Sequence, residues 1–169
     1  MTTERRGSLL GGVRKHPAGV LLFCFFACAA ASDADVVVRI VDGDTLVLRA
    51  EGELARTVRI AEIDAPELRQ RDGQWAAGVL LSLCPVGADV EARSVAGRGD
   101  RYGRELAVVL VRGESVGEWM VARGAAWVYP RAKKSPTLTK LEDLARGGRV
   151  GLWGYAGAEP PWDWRRRLR

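Results

Sequence analysis

Asp44, Asp64 and Glu67 fall where strands should give way to turns, and Arg59 falls inside a strand between them. Carboxylates brought together at strand ends suit one hard cation, because such ions prefer oxygen ligands. Two aspartates, a backbone carbonyl and waters would hold calcium, whose coordination is flexible. An arginine beside that cation suits a phosphate, since its planar fork pairs with phosphate oxygens. Arg104, at the end of the loop Gly99-Asp100-Arg101-Tyr102-Gly103-Arg104, supplies a second arginine, and the two glycines let that loop approach a ligand closely. A cation, a free carboxylate and a two-arginine clamp are the parts of a phosphodiester-cleaving site. Each part also has a plainer reading. Asp42-Gly43-Asp44 alone is a hairpin turn. Arg59 is either paired with a carboxylate or left facing a cleft, because a buried guanidinium needs partners. Residues 97–104 alone are a solvated basic loop.

Composition narrows the alternatives. A chain of 169 residues with 47% apolar and 28% charged side chains is a globular protein of one domain. Arg5, Arg6, Arg14 and Lys15 precede an uncharged, mostly apolar run at residues 18–31, which ends in Ala29-Ala30-Ala31. Such a run is short for a membrane span and matches a signal-peptide core, with an uncleaved membrane anchor as the alternative. Export to the periplasm or the exterior is therefore expected. Without residues 1–31 the formal charge falls from +5 to +2, because four basic residues leave with Glu4. Phosphate binding must then come from local placement of charge. His16, the single histidine, leaves with that segment. Ser-His-Asp hydrolysis and histidine-ligated zinc are excluded for the remainder. Cys24 and Cys28 leave as well, so Cys84 has no intrachain partner. It packs as a small hydrophobe or pairs with another chain.

The elements that must position these residues follow from pattern. Residues 36–41, 45–49 and 56–63 read as three consecutive strands joined by short turns, with Pro66 ending the meander. Residues 74–83 read as a helix with Ala77, Leu80, Leu81 and Cys84 on one side. Residues 89–95 and 106–111 are two further strands. Ser115 and Glu118 have capping-box spacing, and Ser135-Pro136 opens a last helix with an apolar stripe of Leu138, Leu141, Leu144 and Ala145. Five short strands and about three helices predict an α+β, mainly β fold: a closed five-stranded barrel of the oligonucleotide-binding (OB) type. It should span residues 35–155 as a monomer. The tail, 156–169, rich in tryptophan and arginine, lacks apolar periodicity and reads either as surface or as a polyanion binder.

Taken in order, Val41-Asp42-Gly43-Asp44-Thr45, Val58-Arg59-Ile60, Ile63-Asp64-Ala65-Pro66-Glu67, Asp100-Arg101-Tyr102-Gly103-Arg104, Gly124-Ala125-Ala126 and Gly151-Leu152-Trp153 resemble the staphylococcal-nuclease (thermonuclease) family. The resemblance covers roughly residues 36–154. It implies an OB-fold barrel and calcium-dependent hydrolysis of single-stranded or locally melted DNA and RNA, leaving 3′-phosphate ends. It implies that Asp44, Asp64 and the Ala65 carbonyl hold calcium, that Glu67 is the general base, and that Arg59 and Arg104 clamp the phosphate. Arg101, Tyr102 and Tyr129 fall where the family contacts the nucleotide. The competing implication is a non-catalytic nucleic-acid-binding domain of the same fold. Three departures bear on these roles: a short loop after Glu67, Ala65 in place of the family's threonine, and Glu62 as an extra negative charge near the site.

If residues 1–31 are a cleaved leader, exported protein begins near Ser32. Amino-terminal sequencing or intact mass of the exported form checks this, and a Met1 terminus would overturn it.

Overall fold

Alternation in the sequence becomes a closed barrel in the computed structural model, which describes residues 34–95, 99–100, 102–132 and 135–169. The expected leader and Arg101 lie outside the described residues. Strands β1 (Asp35–Ile40), β2 (Thr45–Arg49) and β3 (Arg56–Ile60) form the antiparallel meander. β5 (Asp89–Ser94) pairs with β1, and β6 (Glu105–Val111) pairs with β5. A parallel pairing of β3 with β6, Arg59 opposite Leu106, closes the ring of five. Closure removes the open sheet edges, and the expected OB-type architecture is found.

The third strand is shorter than its sequence pattern suggests. It stops at Ile60, and the chain turns through Ala61 and Glu62, which takes φ 65°. Left-handed backbone is uncommon outside glycine, and at glutamate it marks a turn the surroundings enforce. Ile63–Asp64 (β4) then leaves the barrel to pair with Trp127–Val128 (β8). β7 (Glu114–Ser115) is a two-residue extension beside β6.

Alternate residues of each strand fill the barrel: Val37, Leu46, Leu48, Val58, Ile60, Val90, Ala107 and Val109 are all buried. Helix α1 (Gly73–Leu83) packs on them through Ala76 and Leu80, with Cys84 following one turn later. That face is rotated from the expected one: Leu81 is exposed and Ala76, not Ala77, is the inward residue. Helix α2 (Val116–Ala122) starts as its capping box predicts, with Ser115 Oγ accepting from the Glu118 N–H at 3.3 Å. It buries Val116, Met120 and Val121. Helix α3 (Pro136–Gly147) is capped by Ser135 and buries Leu138 and Ala145, while Leu144 faces solvent. Leu152, not the adjacent tryptophan, is the buried residue of the 3₁₀ turn Gly151–Gly154; Trp153 stacks edge-on against Trp127 at 5.2 Å. Full burial of each leucine contributes about 1.5–3 kcal/mol.

One ion-pair triad pins the barrel seam. Arg56 of β3 forks onto buried Asp35 of β1 at 2.6 and 2.7 Å and reaches Glu105 of β6 at 2.7 Å. The Asp35 hydrogen bonds hold the guanidinium charged despite partial burial. A fourth helix, α4 (Pro161–Arg167), lies in the tail, beyond the three that were expected.

Cys84 has no exposed surface. Burial pushes its thiol up to about 12, so almost no thiolate forms in mildly alkaline buffer. Protein beginning at Ser32 should resist Ellman's reagent when native and release one equivalent of thiol in denaturant. Fast labelling of the native protein would place Cys84 at the surface and reopen pairing between chains.

Candidate active site

The turn after β1 brings Asp44 to Asp64 across twenty residues of chain. Asp42 Oδ1 accepts the Asp44 N–H at 3.0 Å, which winds the turn, and the Asp44 carbonyl accepts the Ile60 N–H at 2.8 Å. The Asp44 side chain then accepts the Ala65 N–H at 2.7 Å with Oδ2 and the Thr45 hydroxyl at 3.0 Å with Oδ1. Gly43 makes this approach possible. A Cβ there would lie 2.7 Å from the Ala65 Cβ and 2.9 Å from the Ala76 Cβ.

Asp44 and Asp64 are both buried, Asp64 completely. Burial pushes the Asp64 carboxyl up and the Asp44 charge adds to the rise, while Arg165 and Arg59 oppose it. Desolvation, together with Asp44, also raises half-buried Asp42, to about 7. Arg59 answers the question its sequence left open, because it is both paired and facing a cavity. Nη1 lies 3.1 Å from Asp44 Oδ2 and Nη2 lies 2.8 Å from Asp64 Oδ1, so one guanidinium bridges both aspartates. Nη1 also donates to the Ile60 carbonyl at 3.0 Å.

Arg104 reaches the same cavity from the start of β6. Asp100 holds it, accepting from the Arg104 backbone N–H at 3.0 Å and from Nε at 2.9 Å, while Nη1 donates to Thr45 Oγ1 at 3.2 Å. Thr45 therefore links the Asp44 carboxylate to Arg104. Tyr102 is exposed, with its ring 5.5 Å from the Arg104 guanidinium carbon. Tyr129 is fixed by its N–H, which donates to the Glu62 carbonyl at 2.8 Å. The left-handed turn at Glu62 thus supports a cavity wall.

Glu67 stands on the short loop that leads into α1. Its N–H donates to Gln70 Oε1 at 3.2 Å, and Gln70 Nε2 donates to the Glu159 carbonyl at 2.5 Å. A Cβ on Gly73 would meet the Glu67 carbonyl oxygen at 1.9 Å, so only glycine lets α1 start this close. The Glu67 side chain remains 38% exposed, open enough to meet a water.

Arg165 of α4 also enters the site. It forks onto Asp64, Nη2 to Oδ2 at 2.6 Å and Nη1 to Oδ1 at 3.2 Å, and Nη1 donates to Glu67 Oε1 at 2.6 Å. The sequence does carry a sign of this helix. Trp162, Arg165, Arg166 and Arg169 recur at i, i+3, i+4 and i+7, a helical period written in basic and aromatic residues. Pro161 sits in its first turn. A search for apolar periodicity passes over such a face. Thr45, Gln70, Asp100 and Arg131 also escaped assignment as supporting residues, since nothing local marks them.

Asp44, Arg59, Asp64, Ala65, Glu67, Tyr102, Arg104 and Tyr129 line one cavity of about 840 Å³, together with Arg131 and Arg165. Among the described residues no cluster of three or more histidine, cysteine, aspartate or glutamate ligands forms. The chain thus offers a cation two buried carboxylates, and waters or backbone carbonyls would complete the shell. That donor set is all oxygen, which fits a hard ion, and its carboxylates already pair with Arg59 and Arg165.

A family model described as staphylococcal nuclease homologue matches residues 57–155. An uncharacterized endonuclease of Escherichia coli O157:H7 is 37% identical over 156 residues, covering 92% of this chain and 99% of its own length. A micrococcal nuclease of Shigella flexneri is 36% identical over 171 residues, covering 94% of this chain and 95% of its own. A third relative, an uncharacterized endonuclease of Haemophilus influenzae, is 35% identical over 83% of this chain and 78% of its own.

Replacing Gly43 with alanine should force the Asp44 turn away from Ala65 and cost about 1–3 kcal/mol, the usual penalty of overpacking. Adding Ala65→Gly removes the nearer clashing methyl and should restore part of that loss in urea denaturation. Equal stability of Gly43→Ala and the parent would show that the turn does not need this approach.

Proposed function

Because the chain belongs to the staphylococcal-nuclease family, we propose that it is a calcium-dependent nuclease of low sequence specificity. Its substrates are single-stranded or locally melted DNA and RNA, and its products carry 3′-phosphate ends. Nuclease-named relatives support the hydrolytic endonuclease class. The observation that carries the finer reading is the meeting of Asp44, Asp64, Arg59, Glu67 and Arg104 in one cavity.

Asp44 and Asp64, with the Ala65 carbonyl, would hold calcium, whose charge would offset the negative charge that builds on the phosphate oxygens. Arg59 and Arg104 approach the cavity from different strands and would take the non-bridging oxygens, acting most strongly where charge develops. Glu67 takes a proton from water as the water oxygen attacks phosphorus. The bond from phosphorus to the 5′-oxygen breaks, and that oxygen leaves as a hydroxyl after gaining a proton from solvent. Tyr102 and Tyr129 offer ring faces to a base, which suits a strand with unpaired bases and tolerates sequence. The apolar run at 18–31 supports action outside the cytoplasm, after removal of residues 1–31.

Glu67→Gln keeps the size of the side chain and removes the base. Single-turnover cleavage of an oligonucleotide in calcium should fall by about 10²–10⁴, with a much smaller change in affinity. Asp64 still holds Arg165 in that variant, so α4 keeps its anchor. Excess calcium chelator should abolish cleavage by the parent. Unchanged cleavage in Glu67→Gln removes the proposed base, and full activity in chelator removes the calcium site. A parent that binds without cleaving is the binding module instead.

A further inference from the structure

Beside the active-site cavity lies a second groove of about 330 Å³. One wall is the face of α4 that carries Trp162, Arg165 and Arg166, continued by Arg169 just past the helix end, and the other is the segment Tyr129-Pro130-Arg131. Tyr129, Arg131 and Arg165 line both spaces, so the groove continues the cavity instead of standing apart from it. Its lining has four arginines and no aspartate or glutamate. Arg165 is engaged by Asp64 and Glu67, and Arg166 by Asp163 at 2.7 Å. Arg131 and Arg169 have no carboxylate partner among the described residues, which leaves two charges for a ligand. The Trp162 ring meets the Tyr129 ring edge-on, with centroids 6.4 Å apart.

We propose that this groove is a second nucleic-acid subsite, one that takes the single strand as it continues out of the catalytic cavity. Arg131 and Arg169 would pair with successive phosphates, and an unpaired base would lie on the Trp162 indole. The proposal rests on the nuclease reading for the position of the strand in the cavity. Charge and shape favour this occupant. A basic groove that tracks a backbone, with an aromatic face along it, is the usual way to hold single strands. Duplex DNA hides its base faces and cannot use the indole. An anionic membrane could answer the arginines, but it needs an outward apolar face, and here the aromatic pair turns into a concave wall.

The wall is held in place by contacts outside the groove. The Arg165 pairs fix the middle of α4 to Asp64 and Glu67. Gln70 ties Glu159, two residues before the helix, to the loop of Glu67, and Arg167 pairs with Glu159 at 2.9 Å. A strand on this wall therefore bears on the loop that carries Glu67.

The test uses the full chain with fluorescently labelled thymidine decanucleotide and dinucleotide, in chelator so that both stay intact. Trp162→Ala should weaken decanucleotide binding about tenfold, the scale of one base on one aromatic face. The paired change Arg131→Ala, Arg169→Ala should flatten the plot of log affinity against log salt by about 0.7 per arginine. Both should shrink the preference for the decanucleotide over the dinucleotide. Trp162→Ala removes a packing contact of α4, whereas the arginine changes do not touch the helix packing. Because Arg131 lines both spaces, the single change Arg169→Ala, at a residue of the groove and not of the cavity, must flatten the slope as well. An unchanged slope and an unchanged length preference in that variant overturn the subsite. Binding to phosphatidylglycerol vesicles with no affinity for the oligonucleotide overturns it in favour of a membrane. The slope change in the variant, with a parent that never cleaves in calcium, keeps the subsite and removes the nuclease reading.

Discussion

Two buried carboxylates side by side need positive charge between them, and the site is arranged around meeting that need at Asp44 and Asp64. Burial disfavours the charged form of Asp64, and the neighbouring Asp44 carboxylate adds to that. Protonating one would relieve the repulsion between them. The fold instead inserts Arg59 from β3, whose two terminal nitrogens reach the two aspartates separately. Lysine could not do this from the same position, because a point charge lacks the fork. The arrangement leaves Asp64 sharing its oxygens between Arg59 and Arg165, so its surroundings are crowded with cations before any ligand arrives.

Barrel topology sets how the two aspartates meet. β2 and β3 pair with Thr45 opposite Arg59, which puts the Asp44 turn and the bridging arginine at one end of the sheet. The break at Ala61 and Glu62 redirects the chain so that Asp64 returns to that end instead of running on along the barrel. β8 then holds Asp64 through Trp127. Parallel pairing of β3 with β6 brings Arg104 to the same rim, with Thr45 as the hinge between the acidic pair and the second arginine. The acidic pair tolerates burial only because these backbone constraints also deliver its counter-charges.

Much of this was legible in the sequence, where the signal is local. Strands at 45–49 and 106–111 declare themselves by alternation and β-branched content, and Ser115 and Ser135 mark helix starts through capping geometry. Asp44, Asp64, Glu67, Arg59 and Arg104 stand out because carboxylates and arginines at strand ends are costly without a purpose. The hidden features are non-local or carry an unusual period. Closure of β3 on β6 joins strands far apart in the chain. The turn at Glu62 uses a residue with no preference for left-handed backbone, so no sequence pattern foretells it. The inward face of α1 is displaced because Gly73 must sit against the Glu67 carbonyl, and that contact sets the phase of the helix.

Arg165 shows why a tail can be part of a site without resembling one. Its helix buries little apolar surface of its own, with Pro161 its buried residue, so apolar periodicity is the wrong instrument for finding it. What docks it is charge: a guanidinium against one fully buried carboxylate and one half-exposed one. Such pairs in a cleft contribute through geometry more than through net stability, because desolvation offsets much of the attraction. The consequence is a coupling. Any cation bound to Asp64 draws on the oxygens that hold Arg165, and any ligand that draws Arg165 away frees those oxygens. Such linkage is reciprocal by necessity: whatever one event changes in the affinity of the other is returned in equal measure. The position of α4 is therefore coupled, through Arg165, to whatever occupies the Asp64 oxygens.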